Sequence, residues 1–205
     1  MKKTKIIVII LAAVLILGLL AGGIYLLRKN ANRISDTEAK EILSELIPKA
    51  QKINDIVWGK GLPVLDSAPP ELNSIKGAQY RAVDSSCGFA NTDDLKKAIA
   101  EVYSQRYIET AINYTAFEGT GAEDGELYAT YPRYKDNNDG LLCIDIENPG
   151  FELTTEISTD AVKVKSADFE KITIETNAKV GGVTVPLELV LVKEDNGWRL
   201  DTPTY

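Results

Sequence analysis

An uncharged run from Ile6 to Leu27 constrains this chain more than any other feature, because its 22 residues include no charged side chain and no proline. In a helix that rises ~1.5 Å per residue, the run is about 33 Å long and can cross a hydrocarbon core of ~30 Å. A cleaved secretory signal is the alternative, although the apolar part of such a signal is normally roughly 7–15 residues long. We therefore predict an uncleaved membrane anchor.

The orientation of this anchor follows from what flanks it. Three basic residues precede the run and three follow it, so the Lys/Arg bias that normally sets orientation is nearly balanced. The tail before the run is short and the part after it is long, which favours an extracytoplasmic C-terminal domain. The predicted organisation is a cytoplasmic tail (1–5), a transmembrane anchor (6–27), a tether (28–35) and a single extracytoplasmic domain (36–205).

The predicted domain is strongly acidic. All 30 Asp and Glu residues lie after Ser35, whereas six of the 23 Lys and Arg residues lie before it. The domain therefore has 17 basic and 30 acidic residues, which is a formal charge of −13 rather than the −7 of the whole chain. Such a charge repels nucleic acid and favours a partner with a basic surface, although solubility alone also explains it.

The sequence contains no histidine, which limits the chemistry available to the domain. The commonest general base, the Ser–His and Cys–His couples and the usual zinc ligand are all excluded. A stretch ending at Gly140 resembles a calcium loop, but Lys135 and Ile146 occupy positions that require carboxylates. We predict no catalytic residue, no metal ligand and no cofactor, and keep a carboxylate-pair enzyme as a remaining alternative.

Helices are predicted first along the domain. Ser35 and Glu38 form a capping-box sequence before an amphipathic stripe that ends near Trp58, and Pro48 predicts a kink or a restart within it. Two further helices are predicted. One begins at Thr92, and the other follows Ser104, which is its N-cap.

A short strand is predicted at 78–83, and the other strands are predicted from Glu118 onward, including one at 127–131. The pairs 181–182 and 196–197 are typical of tight hairpins, and Pro186 predicts an edge position or a bulge. The predicted fold is therefore α+β, with an N-terminal transmembrane helix followed by amphipathic helices packed on a curved antiparallel β-sheet.

Cys87 and Cys143 are the only two cysteines in the sequence. Outside the cytoplasm an even pair favours a disulfide, which would stabilise the fold by ~4 kcal/mol in the chain-entropy model. We take Cys87–Cys143 as a candidate disulfide and keep two buried thiols, acting as small apolar side chains, as the alternative.

A candidate partner-contact surface lies in the middle of the chain. It combines an acidic, glycine-rich loop with neighbouring tyrosines and an arginine, and its residues are Glu123, Asp124, Glu126, Tyr131, Arg133 and Tyr134. Acidic loops can dock on basic clefts, and tyrosine and arginine are enriched at interface hot spots. The alternatives are a solvated linker and tyrosines that pack in the core.

Three stretches carry a family resemblance: Tyr80–Arg81, the helix from Thr92 to Ser104, and the ending Gly197–Tyr205. Together they resemble the bacterial DL-endopeptidase inhibitor (IseA-type) family, and more loosely cystatin-like and nuclear-transport-factor-like envelope domains. The resemblance implies a surface domain without catalysis that blocks cysteine-type autolysins of the cell wall. This chain departs from a freely secreted inhibitor in having a predicted membrane anchor.

The functional expectation is a non-catalytic extracytoplasmic binding or regulatory domain that inhibits a cell-wall DL-endopeptidase. The alternative is a small-ligand-binding or sensory envelope domain with a pocket between helices and sheet. The expected partners are a cell-wall hydrolase or another envelope protein, and the membrane through residues 6–27.

Protease added to intact cells should degrade the domain of residues 36–205, because the predicted orientation places it outside the cytoplasm. Immunoblotting for the C-terminal part of the chain measures this. A domain that survives until the membrane is permeabilised would contradict the orientation.

Overall fold

The computed structural model of the protein describes residues 34–66, 69, 72, 78–119, 131–194 and 197–205. The predicted anchor at 6–27 and most of the predicted strand at 127–131 lie outside these residues. Within the described ranges, no helix has both the length and the apolar character needed to span a membrane.

The helical elements lie mostly in the first half of the chain. They are α1 (Asp36–Val57), a 3-10 turn (Ser85–Cys87), α2 (Thr92–Ala100) and α3 (Gln105–Tyr107), and α3 continues into two π-helical segments (Ile108–Ile112 and Tyr114–Glu118). All three helices predicted from the sequence are therefore confirmed.

The ends of the helices follow from local hydrogen bonds. At the start of α1, the Ser35 hydroxyl accepts from the Glu38 amide at 3.2 Å, and the Glu38 carboxylate accepts from the Ser35 amide at 3.0 Å. The side chain of Asn91 caps α2, which begins at Thr92 as predicted, and Ser104 caps α3 as predicted. Helix α1 runs through Pro48 without a restart.

The strands form two antiparallel sheets. They are β1 (Tyr80–Ala82), β2 (Tyr134–Asp136), β3 (Leu142–Asp145), β4 (Thr155–Ile157), β5 (Lys163–Ala167), β6 (Lys171–Val180), β7 (Val183–Glu194) and β8 (Gly197–Leu200). One sheet has the order β1-β3-β2, and the other has the order β4-β6-β7-β8 with β5 also paired to β6. The sequence pattern predicted a single curved sheet and missed this division.

The hairpin of β6 and β7 is the longest element of the larger sheet. Its turn is Gly181–Gly182, with φ values of +56° and +88°, as the glycine pair predicted. Val180 pairs with Val183 at the turn, and Lys171 pairs with Val192 at the other end.

Side chains from the helices and from both sheets share one main hydrophobic core. Residues at alternate positions of β6 and β7 are buried, among them Ile172, Ile174, Leu189 and Leu191, and they belong to the same core as Leu43, Leu46, Ala50 and Ile53 of α1. A second, smaller core on the far side of β3 contains Leu72, Ala78, Tyr80 and Cys143. The predicted α+β fold, with helices packed on a curved antiparallel sheet, is confirmed.

Two neighbouring side chains at the start of β2 hold the C-terminal end of α1: Arg133, directly before the strand, and Tyr134, its first residue. The Arg133 guanidinium donates to the carbonyl oxygens of Val57 at 2.9 Å, Gly59 at 2.5 Å and Pro149 at 3.3 Å. The Tyr134 hydroxyl donates to the Ile56 carbonyl at 2.9 Å. The last turn of α1 has no basic residue of its own, so Arg133 places a positive charge at the negative end of the helix dipole.

Replacing Arg133 by methionine should lower the free energy of unfolding by about 3 kcal/mol, because several buried carbonyl groups lose their donor. Urea unfolding of the full-length protein in detergent measures the change. Lys135→Met is the matched control, since Lys135 is exposed in β2, two residues after Arg133. Equal stabilities of the two variants would contradict this role of Arg133.

Candidate binding site

Two clefts border α1 at the margins of its contact with the larger sheet. The first cleft has a volume of about 390 Å³ and is lined by Gln51, Lys52, Asn54, Asp55, Leu153, Thr155, Thr204 and Tyr205. The second cleft, of about 510 Å³, is lined by Ile42, Glu45, Leu46, Lys49, Glu101, Gly197, Trp198 and Arg199. The main core fills the space between α1 and the sheet, so both clefts lie beside this interface rather than within it.

The floor of the first cleft is a buried network of three neutral side chains. Asn54 donates to the Thr204 hydroxyl at 2.8 Å, and the Tyr103 hydroxyl donates to the Asn54 side-chain oxygen at 2.6 Å. The hydroxyl groups of Tyr103 and Thr204 are 2.5 Å apart. Burial raises the pKa of the Tyr103 hydroxyl, so it stays protonated and keeps donating. This network fixes the last residues of the chain against α1.

An exposed pair of aromatic rings, Phe151 and Tyr205, lies beside the first cleft and is called the aromatic patch below. The Tyr205 ring stacks on Trp58 with 4.1 Å between centroids, and the Phe151 ring lies 6.4 Å from that of Tyr205. Phe151 is 54% exposed and Tyr205 is 39% exposed, whereas Trp58 is buried. Large exposed aromatic side chains that rest on a rigid support are typical of protein-contact sites.

The loop that carries Phe151 is held by its own backbone. The Phe151 amide donates to the Trp58 carbonyl at 2.9 Å, and Arg133 bonds to the carbonyl of Pro149. Gly150 has a φ of +76°, and a Cβ at this position would collide with the carbonyl oxygens of Trp58 and Gly59. Glycine is therefore required here, and the Phe151 ring is presented from a fixed backbone.

Acidic residues predominate around the aromatic patch. Glu147 and Glu152 are exposed on the loop of Phe151, and Asp55 lines the first cleft. The basic residues of the same region are Lys52 and Lys60, and the ammonium group of Lys52 lies 5.6 Å from the centre of the Phe89 ring. The balance of charge favours a ligand with a basic surface.

The second cleft has a different character. Its two acidic and two basic side chains balance, and Glu45 and Lys49 form an ion pair at 2.7 Å. The ammonium group of Lys193 lies 5.8 Å from the centre of the Trp198 ring. This cleft therefore offers neither an excess of charge nor a pair of exposed aromatic rings.

The structure changes the interpretation of the predicted contact residues. Arg133 and Tyr134 are each 1% exposed, and their polar groups bond to the end of α1 rather than face solvent. Tyr131 is half-buried and packs against the smaller core. Glu123, Asp124 and Glu126 lie outside the described residues, and their role in contact stays a prediction.

Sequence reasoning did not single out Phe151 or Tyr205. A signal was present at Asn148-Pro149-Gly150, since these residues predict a loop and loops lie on the protein surface. The stacking of Tyr205 on Trp58 joins residues from the two ends of the domain, which local patterns do not reveal.

The candidate disulfide is not formed in the structure, where Cys87 and Cys143 are not bonded to each other. Successive side chains of a strand point to opposite faces, so Cys143 faces the smaller core with Tyr80, whereas Leu142 and Ile144 face the main core. Cys87 packs against the main core. The two thiols are therefore on different sides of β3.

Alkylation of the denatured, unreduced protein should label both cysteines, because no bond joins their sulfur atoms. Under native conditions Cys87 should react first, since it is half-buried whereas Cys143 is fully buried. Intact mass before and after alkylation measures both steps. Labels that appear only after a reductant is added would show that the bridge exists.

Comparison with known proteins places the chain in no family. No protein-family model matches the sequence. No curated protein matches it either.

Proposed function

We propose that the domain is a non-catalytic binding module of the cell envelope, and that it binds a protein partner through the aromatic patch and the first cleft. The observation that carries this proposal is the pair of exposed rings, Phe151 and Tyr205, beside a cleft of about 390 Å³.

Preorganisation supports a role in binding. Tyr205 is held by its stack on Trp58 and by the Thr204 hydrogen bonds, and Phe151 is held by a loop whose backbone bonds to the end of α1. Contacts that are ordered before binding lose little entropy when the partner arrives. Aromatic residues of this kind supply most of the binding energy at many interfaces.

The acidic surroundings and the family resemblance indicate the class of partner. Asp55, Glu147 and Glu152 favour a basic contact surface. The resemblance to the DL-endopeptidase inhibitor family supports a cysteine-type cell-wall hydrolase as that partner, and a bound domain would inhibit it by covering its active site. Residues 6–27 would anchor the chain in the membrane, so the inhibition would be local to the membrane surface.

A small ligand is the second candidate for the first cleft. Its volume is within the ~300–1,000 Å³ of typical ligand pockets, and Asn54 and Thr204 supply polar groups at its floor. A ligand at this place would contact the face of Tyr205 and thereby alter the aromatic patch.

Replacing both Phe151 and Tyr205 by alanine should weaken inhibition of a purified cysteine-type DL-endopeptidase at least about tenfold, because the two proposed anchors are lost. The inhibition constant of the full-length protein in detergent, measured by release of peptidoglycan fragments, reports the effect. Phe169→Ala is the matched control, since Phe169 is 51% exposed in the turn between β5 and β6.

Salt should slow association of the wild-type protein with the enzyme, because charge steering is screened within ~8 Å at physiological ionic strength. The proposal fails if the wild-type chain leaves the activity unchanged at every ratio, or if Phe169→Ala weakens inhibition as much as the double variant.

A further inference from the structure

Strand β7 is longer than the strand that covers its outer side. Ten of its 12 residues, 183–192, pair with β6, but β8 pairs only with Leu191–Glu194. Val190 is then covered by the chain after β8, since the Asp201 amide donates to its carbonyl and its amide donates to the Thr202 hydroxyl. Within the described part of the chain, no strand pairs with the outer side of residues 183–189.

The outward-pointing backbone groups of this open edge can be assigned from the register. The amide and carbonyl of Val190 point away from β6, as their bonds to residues 201 and 202 demonstrate. Backbone groups in an antiparallel strand alternate with a period of two, so those of Glu188, Pro186 and Thr184 also point outward. The position of Pro186 agrees with this assignment, because proline has no amide hydrogen to offer β6.

An exposed row of valines lies next to the open edge. Val180, Val183 and Val185 are 44%, 65% and 36% exposed. Val180 pairs with Val183 within the hairpin and with Thr155 of β4, and paired residues share a face of the sheet. Because Thr155 lines the first cleft, the valine row continues the surface of that cleft toward the tip of the hairpin.

We propose that the open edge of β7 takes an extended segment of the partner protein as an additional antiparallel or parallel strand. This inference rests on the proposed function and states how the partner docks. The segment accepts from the amides of Thr184 and Glu188 and donates to the carbonyls of residues 184, 186 and 188. Its alternate side chains are apolar and pack on Val183 and Val185, beside the first cleft.

Pro186 favours a different protein over a second copy of this chain as the occupant. In a symmetric antiparallel pairing of two β7 edges, each strand contributes its own Pro186, so the hydrogen-bond ladder lacks two amide donors. When the added strand comes from another protein, the ladder lacks only the one donor of Pro186. Pro186 therefore weakens self-association while two donors and three acceptors remain available, which is a common protection of edge strands.

Hydrogen–deuterium exchange on the unmodified full-length protein tests the proposal. The amides of Thr184 and Glu188 should exchange rapidly in the protein alone and at least about tenfold more slowly with saturating cysteine-type DL-endopeptidase. The amides of Val185 and Leu187 already bond to β6 and serve as internal references. If the enzyme binds and the exchange of Thr184 and Glu188 is unchanged, the proposed strand addition is wrong.

Thr184→Pro provides an independent test, because it removes an outward amide and should leave the pairing with β6 intact. We expect about tenfold weaker inhibition with an unchanged melting temperature, whereas Phe169→Ala should inhibit like the wild type. If Thr184→Pro inhibits fully and the Phe151 and Tyr205 double variant loses inhibition, strand addition at the open edge is rejected and binding through the aromatic patch is retained. Full inhibition by both variants would reject both proposals.

A second copy of the chain is the alternative to a partner protein at the open edge of β7. Sedimentation of the protein without the enzyme distinguishes it, and a dimer that Thr184→Pro dissociates would overturn the assignment of the edge to a partner.

Discussion

A buried positive charge, the guanidinium of Arg133, is the interaction on which the rest of this structure depends. It bonds to carbonyl groups of two separate segments, the end of α1 and the turn at Pro149. Burial lowers the pKa of Arg133, but a guanidinium remains protonated in proteins, so the fold must supply acceptors for it. The dipole of α1 supplies them at little cost, because its last carbonyl groups have no partner within the helix.

The proposed site is built outward from this charge. Arg133 aligns the end of α1 with the loop of residues 146–151, and this alignment brings Trp58 beside the backbone of Phe151. Trp58 in turn supports Tyr205 from below. The residues that would touch a partner are therefore connected to the buried guanidinium through Trp58 and the loop of residues 146–151. The contacts that hold the core together also position the proposed binding surface.

Much of the fold could be predicted from local sequence signals, whereas the features that depend on long-range contacts could not. The capping box at Ser35 and the glycine pair at 181–182 each encode their structure within a few residues, and both predictions are confirmed. Arg133 and Tyr134 were expected at the surface, because arginine and tyrosine are enriched at interfaces. The same two residue types can also cap a buried helix end, which is what they do here. The carbonyl groups that decide between these roles lie 76 and 78 residues earlier in the chain.

The length of α1 determines how far the proposed site lies from the membrane. The helix begins at Asp36, directly after the predicted tether, and the aromatic patch lies at its other end. Its 22 residues span about 33 Å. If residues 6–27 anchor the chain as predicted, α1 separates the patch from the start of the domain by about the thickness of a bilayer core. Under the proposed function, this distance limits the partner to enzymes that work close to the membrane.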